Sequence, residues 1–176
     1  MQNSEMVYRT EREGCSVISL AAPVRPGMYG ALGAEKTAQA AAELFARNFH
    51  ELYEMEENEV QYAVIICVKS ALYELCEICR KDLPEFQSNL QLLAMDQKKN
   101  RMMAVHLGDG YIHSFTKGRR KVISFPRQGI GGRSRYTTSM YPAAPNLKVF
   151  RWENPEADEF QLVHGGRSIS VYPEGG

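Results

Sequence analysis

Long apolar runs are missing from this chain of 176 residues. No stretch approaches the roughly 20 consecutive apolar residues that a membrane-crossing helix needs, so no membrane partner is expected. Cysteine is scarce. Cys15, Cys67, Cys76 and Cys79 are the only four, too few and too clustered for a disulfide framework in a chain this long. An excess of either charge is also lacking: 21 Lys and Arg balance 21 Asp and Glu, so the net field draws in neither nucleic acid nor a membrane surface. Residues 1–14 are polar and of mixed charge, without the apolar centre of a secretory signal. Repeats and low-complexity tracts are absent too. A reducing, cytoplasmic setting is the expectation. What is present is ordinary globular composition, 44% hydrophobic and 24% charged, in a length that fits one domain over residues 1–176 with a real core.

Hydrophobic spacing divides the chain into a helical half and a strand half. Ser16–Ala22 is short, apolar and β-branched, and predicts a strand. The stretch from Pro23 to Gly33 is rich in proline and glycine and predicts turns. A helix is expected over about 34–55, where Ala38, Ala41, Ala42, Phe45, Phe49 and Leu52 recur at three- and four-residue steps. A second follows over about 60–81, with Val64, Ile65, Val68, Leu72 and Leu75 as its stripe. After residue 86 the period falls to two. Leu90, Leu92 and Ala94 alternate with Gln91 and Leu93, and strands are expected at 101–107, 111–116, 121–125, 136–140, 147–152 and 160–163. Two helices followed by hairpin-linked strands predict an α+β fold of antiparallel sheets covered by helices.

Several segments, in order, resemble the type 2C (PPM-type) metal-dependent serine/threonine protein phosphatase domain, its bacterial branch in particular. They are Leu32-Gly33-Ala34-Glu35 at the first helix, FQSNLQLLAM from Phe86, MAVHLGDGYI from Met103, and Ile123-Ser124-Phe125-Pro126 followed by Gly129. YTTSMYPAAPNLKVFR from Tyr136 and FQLVHGG from Phe160 complete the series, which covers about residues 15–166. The resemblance implies a four-layer αββα sandwich of two antiparallel β-sheets flanked by helices. It also implies two divalent metals, Mg2+ or Mn2+, held by carboxylates at one edge and activating a water for in-line attack on a phosphoryl group.

On that alignment the carboxylates are gone. The first aspartate-glycine pair of the family falls on Ala22-Pro23, and the second metal aspartate falls on Gly165. The family's acidic amino-terminal strand has no expected counterpart, and the chain is expected to end, at Gly176, before the family's final strand with its last aspartate. Asp109 remains, at a position the resemblance ties only to an accessory metal site. Asp96, Glu153, Glu156 and Asp158 are the other carboxylates of the strand half, expected in turns and solvated loops.

Other constellations carry alternatives. Cys76-x-x-Cys79 falls mid-helix on the apolar stripe, which favours structural thiols over redox or zinc chemistry. Gly129–Arg133 lacks the lysine and hydroxyl of a phosphate-binding P-loop. Ser124, His106 and Asp109 form a triad on paper, without the nucleophile-elbow context. Lys117, Arg119, Arg120, Lys121, Arg127, Arg133 and Arg135 occur with no acid between them. That run is either a patch for phosphate or carboxylate groups or a solvated face balanced by Glu51–Glu59. The expected function is a phosphatase-like binding or regulatory module, a pseudophosphatase with no cofactor and an acidic or phosphorylated protein partner. Alternatives are a divergent metal-dependent phosphatase with replacement ligands, using Mg2+ or Mn2+, and a truncated relic.

Overall fold

The structure is a computed structural model that describes residues 5–126, 137–139 and 143–173. The strands are β1 (Met6–Arg12), β2 (Cys15–Pro23), β3 (Ser88–Asp96), β4 (Arg101–Leu107), β5 (Tyr111–Thr116), β6 (Arg119–Ser124), β7 (Lys148–Glu153), β8 (Glu159–His164) and β9 (Arg167–Val171). The helices are α1 (Met28–Glu54), α2 (Glu57–Cys79) and the single turn α3 (Ala143–Asn146). Five strands in the order β1-β2-β3-β4-β7 make one antiparallel sheet, and four in the order β6-β5-β8-β9 make another.

Burial follows from how the layers stack. All nine residues of β3 are buried, because both faces of the central strand are covered. Leu90, Leu92 and Ala94 join Phe45, Phe49, Leu52, Val64, Val68 and Leu72 of the helices in one cluster. Leu93 and Met95, one residue out of phase, join Ile112, Phe160, Leu162 and Ile169 of the smaller sheet in another. A strand's period of two therefore sends alternate side chains into two cores. Each fully buried Leu or Phe contributes about 1.5–3 kcal/mol. The helices pack on the five-stranded sheet. Among the described residues no helix packs on the four-stranded one.

Four expectations change. The first helix starts at Met28 rather than at Ala34, because Gly30 and Gly33 lie inside it. There they permit close approach: a Cβ on Gly33 would stand 2.2 Å from the Phe86 carbonyl oxygen, and one on Gly30 2.1 Å from that of Arg25. The amino-terminal segment, expected to hold no strand, forms β1 and pairs along β2 from Met6↔Ala21 to Arg12↔Cys15. Glu13 and Gly14, both in the left-handed region, make the tight turn that right-twisted hairpins favour. A ninth strand, β9, follows the Gly165-Gly166 turn, where no strand was expected. Of the strand expected at 136–140, residues 137–139 are described, and they form a turn.

Candidate functional site

Both sheets turn polar at one end of the sandwich. β4 leaves the five-stranded sheet at Leu107, and Gly108-Asp109-Gly110 carries the chain across to β5 in the other. Gly108 and Gly110 both have positive φ. A Cβ on Gly110 would strike Gln91 Nε2 at 2.1 Å, so this crossing requires glycine. Asp109 is fixed through its backbone: its N–H donates to Asn89 Oδ1 at 3.0 Å, and its carbonyl accepts from His106 Nε2 at 3.0 Å.

The Nε2 bond sets the His106 tautomer, since a nitrogen facing a carbonyl must carry the proton. Nδ1 then accepts from the Ser124 hydroxyl at 2.6 Å. Burial pushes the His106 imidazole down to about 4, so it stays neutral in the fold. The three residues of the paper triad thus do meet, although Asp109 contributes a carbonyl and not its carboxylate. His106 is 2% exposed and Ser124 1%, which leaves no path for a substrate. This is a structural pair. His113, the other histidine near the turn, belongs to the smaller sheet and opposes Val122, so the two imidazoles do not form a pair.

Two further contacts join the sheets at the same end. Gln91 Nε2 donates to the carbonyls of Tyr111 at 3.2 Å and Val163 at 3.0 Å. Glu5, directly before β1, places Oε1 3.2 Å from His164 Nδ1, while its backbone carbonyl accepts from Arg167 Nη1 at 3.2 Å. An acidic residue at the amino-terminal strand therefore exists where none was expected. It lies beside Gly165, where a Cβ would be 3.3 Å from Glu5 Oε1. Sequence reasoning missed it because a hairpin strand with charged alternate residues looks like a polar leader. The signal was Val7, Tyr8 and Thr10 ahead of the Glu13-Gly14 turn.

The remaining expected positions are spread out. Ala22 is buried opposite Asn89, and Pro23 ends β2 opposite Ser88. Gly165 forms the β8–β9 turn. Asp96 accepts from the Lys98 N–H at 3.0 Å, Glu153 pairs with Arg101 at 3.7 Å, and Asp158 accepts from the Lys117 N–H at 2.7 Å. Among the described residues no three His, Cys, Asp or Glu side chains converge on one point. Magnesium and manganese need several oxygen ligands, and a methyl, a hydrogen and a carboxylate already held by a histidine do not supply them. The donors present do not fit a pair of divalent ions. Cys76 and Cys79 are free and half-buried, and burial raises the Cys76 thiol, the opposite of redox activation.

The basic segment is the other candidate. Lys117-Gly118 forms the two-residue β5–β6 turn, both with positive φ. Lys117, Arg119, Arg120 and Lys121, with Ser114 and Thr116, line a cleft of about 590 Å3. Arg119 and Lys121 lie opposite Thr116 and Ser114 on one face of the hairpin, a set of cations and hydroxyls that suits an anionic group. No ion pair among the described residues engages the four cations. The acidic stretch proposed to balance them lies instead on the helical side, where Glu54 pairs with Arg101. Arg127, Arg133 and Arg135, together with the Gly129–Arg133 loop, lie outside the described residues.

Two facing antiparallel sheets with a helical hairpin on the larger one make a layered α+β sandwich. The sequence profile of the family "Protein phosphatase 2C" matches residues 21–174, and the chain belongs to that family. Among curated protein sequences, none matches it. Solved structures agree on the fold. The S. agalactiae serine/threonine phosphatase superposes with a TM-score of 0.66 at 12% identity, over 92% of this chain and 72% of that one. The Mycobacterium tuberculosis serine/threonine phosphatase PstP/Ppp gives 0.62 at 12%, over 92% and 71%. A chain from a study of the bacterial stressosome, "a modular system that has been adapted to control secondary messenger signaling", gives 0.58 at 11%, over 92% and 68%.

Proposed function

We propose that this chain is a single-domain, cytoplasmic pseudophosphatase: a protein phosphatase 2C fold that binds an acidic or phosphorylated protein partner and does not hydrolyse phosphate. One observation carries the reading. At the polar end of the sandwich the side chains make cross-sheet contacts, Glu5 Oε1 with His164, Gln91 Nε2 with Tyr111 and Val163, and His106 with Ser124, while Glu5 Oε2 and Gln91 Oε1 stay buried without a partner. The positions that the family resemblance gives to metal carboxylates, Ala22 and Gly165, have no ligand atoms. Asp109, at the accessory position, and Glu5, whose Oε1 faces His164, cannot between them hold two dications against their hydration. The partner reading draws support from the basic cleft at residues 114–121 and from the likeness to a chain of the bacterial stressosome, described as a modular system adapted to control secondary messenger signaling. No described helix is long and apolar enough to cross a membrane.

The test is hydrolysis of a chromogenic aryl phosphate in saturating Mn2+, expected at background. Metal-dependent turnover lost in both Asp109→Ala and Glu5→Gln would establish the divergent enzyme instead. For the cleft, Arg119→Glu with Arg120→Glu should weaken binding of an acidic phosphopeptide by about tenfold or more at low salt, with a smaller difference at high salt. Equal affinity for the wild type and the double variant would place partner binding elsewhere.

A further inference from the structure

α2 carries apolar side chains on both of its faces. Val60, Val64, Val68, Leu72 and Leu75 are buried against the rest of the protein. On the opposite side Tyr62 is 55% exposed, Ile66 62% and Tyr73 55%. Steps of four and seven residues put these three on one stripe at 100° per residue. Single exposed apolar residues are ordinary, but three on one helical stripe, interrupted only at Lys69 and Ser70, point to an interaction surface.

The charges flanking the stripe select the occupant. Exposed Glu56, Glu57 and Glu59 crowd its amino-terminal end, and Glu59 also closes the capping box with Glu56. Exposed Arg80 ends the stripe, whereas Lys81 is engaged over the Tyr29 ring at 5.3 Å. Such a face is self-complementary only when reversed. A parallel copy would set Glu59 against Glu59, and an antiparallel copy sets it against Arg80.

We propose that two copies of this chain associate through this face, α2 against antiparallel α2, with the two-fold axis passing between Lys69 and Ser70. In that register Ile66 of one copy packs on Tyr73 of the other, Tyr62 meets Glu77, and Glu59 meets Arg80, each contact occurring twice. The opposed helix dipoles also align favourably. The inference is independent of the phosphatase question, because no residue of the stripe belongs to the polar end or the basic cleft.

Sedimentation of the full chain from about 1 to 100 μM tests it, a range that brackets the affinity of a small interface. A concentration-dependent dimer is expected. Ile66→Glu should raise its Kd at least about tenfold. Glu59→Arg and Arg80→Glu should each weaken it, and the double variant should recover most of the loss, since the swapped charges again oppose each other. Circular dichroism should be unchanged for Ile66→Glu, whereas Glu59→Arg also opens the capping box with Glu56 and should lower the melting temperature slightly. A chain monomeric throughout the range would overturn the proposal. So would a dimer indifferent to Ile66→Glu, or a double variant no tighter than the single ones.

Discussion

The two sheets share a core but live in different surroundings. The five-stranded sheet is covered on one face by α1 and α2 and on the other by its partner sheet, and β3 within it exposes nothing. Among the described residues the four-stranded sheet has one covered face. Ile112, Ser114, Phe160 and Leu162 point inward, and five of the six residues of β6 are half-buried or exposed. Stability is thus concentrated in the larger sheet and its helices, and adaptable surface in the smaller one. The cationic β6 is also an edge strand, where charge discourages addition of another chain.

Core truncation should break this asymmetry most visibly if it is wrong. Phe45→Ala, at a fully buried position between α1 and the larger sheet, should cost about 3–5 kcal/mol in urea unfolding. Val122→Ala on β6, 45% exposed, should cost under about 0.5 kcal/mol. Comparable losses would show that the smaller sheet bears equal weight.

Acid should act next. His106 is held near 4 in the fold against an ordinary 6.5, so between those values the unfolded chain binds more protons. Stability is then complete above about pH 6.5 and declines as the pH falls toward 4, by about 3 kcal/mol in all. Burial and Arg120 lower His113 in the same direction. Unfolding measured from pH 7 to 4 should show the decline, and a His106→Gln variant should show a shallower one. A flat profile would mean that His106 is open to water. Ser124→Ala is the smaller perturbation. It leaves Nδ1 buried without a donor, at about 1–3 kcal/mol, and should raise the pH at which acid unfolding begins.

The larger sheet was also the more legible. Alternation at Leu90–Ala94 and the 3.6-residue stripes of both helices give the layers directly, because burial there repeats in step with the backbone. The failures cluster where a contact with distant chain overrides local preference. Gly30 and Gly33 indicate turns until the approach of Arg25 and Phe86 backbone makes glycine necessary inside a helix. β1 is a mixed-charge segment whose strand character comes from pairing with β2. The candidate site was half legible. The Gly108-Asp109-Gly110 crossing and the basic hairpin follow from local composition. The contact of Glu5 with His164 spans 159 positions, and nothing local announces it.

That separation has a consequence for how the molecule is assembled. Hairpins such as β1–β2 and β8–β9 close within a few residues, whereas Glu5 can reach His164 and Arg167 only after both sheets exist and face each other. The clasp therefore closes only on a molecule whose two sheets have already met.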